Sequence, residues 1–125
     1  MNAKALRPNV AVIDDDEAVR DSLKLLLEIV GYSVWTYPSA ARFLAETLSP
    51  WVCLIIDHHM PQMTGLELIS LLRSRGSRTP AALITASSSP EMARRAAQLS
   101  ATPFDKPVAE EDLMHFIATA QRRPK

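Results

Sequence analysis

The sequence predicts an α/β fold, a doubly wound sheet of five parallel strands with a helix after each strand. Three observations carry this prediction. Short apolar runs alternate five times with segments whose apolar residues recur at helical spacing. The runs at residues 10–13 (VAVI) and 52–56 (VCLII) are apolar on both faces, as strands covered on both sides must be. The nine prolines fall between periodic segments or at their ends, never inside a helical pattern.

Taken in order, residues 1–9 read as a loose tail ending at Pro8. Residues 10–13 form the first strand, which stops at Asp14-Asp15-Asp16-Glu17. The helix that follows carries acids in its first turn, at the positive end of its dipole. Val19, Leu23, Leu26 and Val30 are its expected core face, and Gly31 its stop. Residues 33–37 (SVWTY) have strand composition and end at Pro38. Ser39 caps a short helix containing Phe43 and Leu44, expected to fray over residues 47–50. The third strand ends abruptly at Asp57, followed by a Met60-Pro61 turn and Gly65. From Thr64 a helix presents Leu68, Ile69 and Leu72 and stops at Gly76. Residues 81–85 (AALIT) are the fourth strand. Pro90 suits a first helical position, and the helix over 91–99 has Ala93, Ala96 and Ala97 as its expected buried face. Residues 102–105 make a short fifth strand before Lys106-Pro107. The last helix, about 109–121, aligns Leu113, Phe116, Ile117 and Ala120.

A chain of 125 residues suffices for one domain with one core. The formal net charge is zero, so no global basic field exists to hold nucleic acid or an anionic membrane. The first nine residues lack the apolar stretch of a secretory signal, and no run approaches a membrane span. A cytoplasmic location is the expectation. The single cysteine, Cys53, lies inside an apolar run and reads as a small hydrophobe.

Open α/β sheets place their sites at the carboxyl ends of the strands. In the flavodoxin-like order 2-1-3-4-5, strands one and three are neighbours at the switch point. That order puts Asp14 and Asp15 beside Asp57. Two unit charges 4 Å apart repel by roughly 4 kcal/mol at an effective dielectric near 20, so such a cluster needs cations. A hard divalent ion with oxygen ligands, Mg²⁺ above all, suits it, and Lys106 at the end of strand five brings a second positive charge. Thr85 offers a hydroxyl from the end of strand four. Taken singly, each residue has an ordinary use: an acidic helix start, a turn cap, a strand threonine, a surface lysine. Together, four strand ends carry matching groups, and Asp57 reads as a nucleophile that accepts a phosphoryl group. The adjacent His58-His59 pair reads against a zinc site, because neighbouring loop residues diverge and nothing joins them. Trp35 and Trp51 read as packing residues.

With these residues assembled, the chain resembles the receiver domain of bacterial two-component response regulators, from about Asn9 to Arg122. The motifs are VIDDDEAVRDSL at 12–23, LIIDHHMPQMTGLEL at 54–68, LITA at 83–86 and DKP at 105–107. The resemblance implies Asp57 as phosphoacceptor, with Asp14, Asp15, Asp57 and the backbone carbonyl of His59 around Mg²⁺ or Mn²⁺. It implies that Thr85 and Lys106 contact the phosphoryl group and that the Lys106-Pro107 bond is cis. It departs from the family at Pro103, where receivers usually carry an aromatic switch residue; Phe104 follows one place later and strand alternation turns it inward. Ser100-Ala101 replaces the usual Gly-Ala. His59 and Ser87 fall near the approach of an attacking water.

The resemblance implies a phosphorylation-controlled switch, not an enzyme, with a histidine kinase or a histidine phosphotransfer protein as donor. The output face is expected on the fourth helix, fifth strand and fifth helix, where Arg94 and Arg95 could meet Glu110, Glu111 and Asp112 of a second copy. Nothing in these residues is expected to read a base; residues 122–125 are either a chain end or the start of a linker toward an effector such as a transcription regulator. The alternative is a phosphohydrolase resembling the haloacid dehalogenases, with Asp14 as nucleophile. The absence of room for a cap domain, and of a second acidic motif after strand four, weighs against it.

Overall fold

The computed structural model describes residues 7–46 and 50–122. Five strands and five helices alternate: β1 (Asn9–Ile13), α1 (Glu17–Val30), β2 (Ser33–Tyr37), α2 (Ala40–Ala45), β3 (Cys53–Asp57), α3 (Gly65–Ser74), β4 (Ala81–Thr85), α4 (Pro90–Gln98), β5 (Ala101–Asp105) and α5 (Glu110–Gln121). All neighbouring strands pair in parallel, in the order β2-β1-β3-β4-β5. This is the predicted doubly wound sheet. β1, β3 and β4 are its centre, and their apolar runs are almost wholly buried.

Alternation along the strands sends residues to two cores. Ala11, Ile13, Leu54, Ile56 and Leu83 pack with Phe43 of α2, Leu66, Leu68 and Ile69 of α3, and Ala96 of α4. Val10, Val12, Cys53, Ile55, Ala82 and Ile84 pack with Leu27 of α1 and with Leu113 and Ile117 of α5. Trp51 meets Tyr37 and Phe43, with ring centroids 6.4 and 6.0 Å apart.

Helix boundaries follow their caps. Asp16 accepts from the N–H groups of Ala18 and Val19, and Ser39 and Ser89 each accept one amide at the starts of α2 and α4. Thr64 and Glu67 form a reciprocal capping box on α3. Gly31 and Gly76 end α1 and α3 at positive φ, 124° and 90°.

Some expectations need correction. The core face of α1 is only partly the predicted one: Val19, Leu23 and Leu26 are half-buried and Leu23 packs against the core, but Leu27 is the fully buried residue and Val30 is 54% exposed. The apolar arc of α1 is wide, with Leu25 and Ile29 at one side of it and Leu27 at the other, so periodicity alone did not fix which part of the arc goes inward. On α4 only Ala96 is buried; Ala93 and Ala97 are exposed, and Met92 and Leu99 flank the core instead, since their longer side chains reach it. The tail is shorter than residues 1–9: Asn9 belongs to β1, and the Pro8 carbonyl accepts from Ser33 N–H at 2.9 Å. Residues 1–6, the fraying segment 47–49 and residues 123–125 lie outside the described residues.

Pro103 sits inside β5 opposite Leu83. β5 is an edge strand, where a missing N–H costs no ladder bond on the open side. Phe104, one residue on, turns to the α5 side and packs edge-on against Phe116 at 5.8 Å.

Candidate functional site

The carboxyl ends of β1, β3, β4 and β5 converge on one cluster. Asp57 is the last residue of β3 and only 3% exposed, so the acid expected at an open strand end is in fact buried. Burial follows from its surroundings. Its neighbour His58 donates its N–H to Ile84 O at 2.8 Å, and the His58 carbonyl accepts from both Met60 and Gly65. Gly65 permits this close turn: a Cβ there would lie 2.6 Å from the Asp57 carbonyl and 2.9 Å from His58 Cα. α3 therefore begins directly against the end of β3.

Asp14, just past β1, is 5% exposed. Its N–H donates to Tyr37 O at 3.0 Å, its carboxylate accepts from Asp16 N–H at 2.9 Å, and its carbonyl accepts from the Arg20 guanidinium at 2.8 Å. Burial pushes its pKa above the ordinary value of 3.8, the Asp16 amide works against this, and the charge of Asp57 adds to it. Asp15 faces solvent. One carboxylate oxygen from each of Asp14, Asp15 and Asp57 lies within 4.8 Å of the others, the one such grouping among the described residues.

Lys106 follows β5, its backbone N–H bonded to Thr85 O at 2.8 Å. Its Nζ lies 2.9 Å from Asp57 Oδ1. That contact raises the lysine pKa above 10.5, against the cost of its partial burial, and the charges of Asp57, Asp14 and Asp15 help. The Lys106-Pro107 peptide is cis. Thr85 is fully buried at the end of β4. From Asp57 a cleft of about 690 Å³ runs between α1 and α5, lined also by Ala86, Lys106, Leu23, Leu26 and Leu113.

The chain matches the family model of the response regulator receiver domain over residues 10–118. The chain belongs to that family. It is 41% identical over 116 residues to the transcriptional regulatory protein FixJ of Azorhizobium caulinodans, covering 91% of this chain and 55% of that protein. It is 35% identical over 113 residues to the response regulator protein TodT of Pseudomonas putida, covering 89% of this chain and 50% of that one. The chain thus spans about half the length of these curated relatives. Among solved structures, FixJ-N superposes with a TM-score of 0.83 at 30% identity, covering 94% of this chain and 96% of that one. As a receiver domain it is a signalling switch with a phosphoacceptor role, and the dehalogenase-like alternative with Asp14 as nucleophile is set aside.

The receiver motifs expected from sequence fall together in space: Asp14, Asp15, Asp57 and Lys106 form one electrostatic cluster, with Thr85 one strand away. Pro103 and Phe104 lie deeper along β5. His58 and His59 do not splay apart as expected: their rings pack edge to face with centroids 5.1 Å apart, but their nitrogens go to different partners. His58 Nδ1 accepts weakly from Leu66 N–H at 3.4 Å, and burial lowers its pKa from 6.5, with the charge of His59 adding to this. The His59 side chain goes instead to Thr85, with Nε2 3.1 Å from Oγ1. That contact was not read from sequence. The two residues are 26 positions apart in different loops, and no spacing rule joins them. For Gly65, its position directly after the Thr64 cap is the sequence signal of the close approach.

Proposed function

We propose that Asp57 is the phosphoacceptor of a Mg²⁺- or Mn²⁺-dependent switch, and that Asp14, Asp15, Asp57 and the His59 backbone carbonyl hold the ion. The donor set fits such a group: three hard carboxylate oxygens within 4.8 Å, two from buried residues and one from an exposed residue that leaves the cluster open to solvent. The bound ion would supply positive charge toward the oxygens of a transferring phosphoryl group. The residues of the chain do the rest. The Asp57 carboxylate attacks the phosphorus of a phosphohistidine in line. A P–O bond forms as the P–N bond breaks, and the bonding pair leaves with the imidazole nitrogen of the donor, which takes up a proton. Lys106, already 2.9 Å from Asp57, compensates charge on the phosphoryl oxygens. Thr85 would donate its hydroxyl to one of them. Pro103 and Phe104 lie in the switch region between Thr85 and α5.

The donor in this reading is a histidine kinase or histidine phosphotransfer protein, in the cytoplasm. No described helix is long and apolar enough to cross a membrane. The output face is α4, β5 and α5, where exposed Arg94 and Arg95 stand opposite in charge to Glu110, Glu111 and Asp112, a pattern suited to a homodimer. FixJ is named a transcriptional regulatory protein, which favours transcription as the output, exerted through a segment other than these residues. The observation that carries the proposal is the buried Asp57 held between two further acids and Lys106. The test is phosphorylation by acetyl phosphate with Mg²⁺, followed by mass spectrometry. Wild type should gain one phosphoryl group and Asp57→Asn none; equal labelling of both would refute the assignment.

A further inference from the structure

Two hydrogen-bond donors stand at the end of β4, the Thr85 hydroxyl and the Ala86 amide, and Ala86 lines the cleft that holds Asp57 and Lys106. Both lie within hydrogen-bond distance of one atom. His59 Nε2 lies 3.1 Å from Thr85 Oγ1 and accepts the Ala86 N–H across 3.1 Å. An amide proton is accepted only by a ring nitrogen with a free lone pair, so Nε2 acts as an acceptor. Ser87 closes the arrangement: its N–H donates to Thr85 Oγ1, and its carbonyl is a second acceptor for the single Thr85 hydroxyl proton, each at 3.3 Å. The imidazole thus occupies the position in hydrogen-bonding terms that a phosphoryl oxygen would claim. His59 itself is exposed, so its ring can swing into solvent without opening either core.

We propose that His59 is a positioning residue that latches the end of β4: in the unphosphorylated protein its imidazole accepts from Ala86 and shares the Thr85 hydroxyl with the Ser87 carbonyl, and a phosphoryl group on Asp57 recruits those donors only by displacing it. This rests on the phosphoacceptor reading above. The latch makes His59 a competitor for the phosphoryl group, and so a determinant of how easily the switch is thrown. Removing the acceptor should favour the phosphorylated arrangement.

The probe is beryllofluoride with Mg²⁺, titrated into the full chain and followed by amide NMR. His59→Ala should bind about fivefold more tightly than wild type, the equivalent of roughly 1 kcal/mol for one released hydrogen bond. In the same variant the Ala86 amide resonance should move upfield before any ligand is added. His59→Gln, whose side-chain oxygen can reach the same donors, should restore both the wild-type constant and the amide position. Equal or weaker binding by His59→Ala overturns the latch and leaves the phosphoacceptor reading standing. Binding by none of the proteins overturns that reading and the latch with it. Should the amide spectrum show the alanine variant unfolded, His59→Ser, too short to reach Thr85, takes its place with the same expected outcomes.

Discussion

Asp14→Asn separates the electrostatic cost of the acidic cluster from its use. The carboxylates of Asp14, Asp15 and Asp57 approach within 4.8 Å, and at that distance a pair of unit charges repels by about 3.5 kcal/mol at an effective dielectric of 20. Lys106 offsets part of this from 2.9 Å, and water screens the exposed Asp15. An asparagine keeps the oxygen that accepts from Asp16 N–H at 2.9 Å, so the substitution removes charge and preserves the hydrogen bond. In magnesium-free buffer the variant should therefore be more stable than wild type by about 1–2 kcal/mol, roughly half the pair repulsion. With Mg²⁺ at tenfold its dissociation constant, wild type should gain about 1.4 kcal/mol and the variant far less. Urea unfolding monitored by circular dichroism, with and without Mg²⁺, gives both numbers. The pH dependence follows from the same group. A folded-state pKa above 3.8 means that the native state binds this proton more tightly than the unfolded chain. The destabilisation is fully present above the folded pKa and fades as pH falls through it toward 3.8, so the difference between variant and wild type should shrink on acidification. A variant less stable than wild type without Mg²⁺, or one stabilised equally by Mg²⁺, would refute the reasoning.

Lys106 has the opposite sign: its folded pKa lies above 10.5, so its stabilising contact is fully present below 10.5 and is lost as pH rises through the folded value. Alkaline unfolding should show this loss in wild type and not in Lys106→Met. Gly65→Ala should cost about 1–3 kcal/mol in urea unfolding, because the new Cβ meets backbone at 2.6 and 2.9 Å and neither strand nor helix can yield freely; a neutral result would show that α3 is loosely seated. On α1, Leu27→Ala should cost about 2–5 kcal/mol and Val30→Ala less than about 0.5, and the reverse order would restore the helix face expected from periodicity.

The fold was legible because its strands are short runs with a single reading. β1, β3 and β4 are apolar on both faces, β1 and β3 end at acids and β4 starts after a proline, and no helix face competes for them. The helices were less legible in proportion to their ambiguity. α1 has Leu25, Leu26, Leu27, Ile29 and Val30 in one span, and only tertiary packing decides that Leu27 goes inward. α4 offers alanines, whose small side chains leave the contact to Met92 and Leu99. Ser100 carries φ 55° at the turn into β5, a conformation that a glycine would have advertised and a serine conceals. At the site, groups fixed to strand ends could be placed from the strand order alone, as for Asp14, Asp57, Thr85 and Lys106. The His59 contact depends on a loop rotamer, which pattern does not encode.

The backbone around Thr85 has a consequence for the form of any signal it gives. Ile84 O accepts from His58 on one side and Thr85 O accepts from Lys106 on the other, both at 2.8 Å, while β4 is paired along its length with β3 and β5. These bonds hold the main chain on both sides. What remains to Thr85 is rotation about one side-chain bond, and a β-branched residue occupies discrete staggered wells about that bond with little between them. Each molecule at this point is accordingly in one setting or another, never part-way. A graded response can come only from the fraction of molecules in each setting, as with a population of coins and not the turning of a dial.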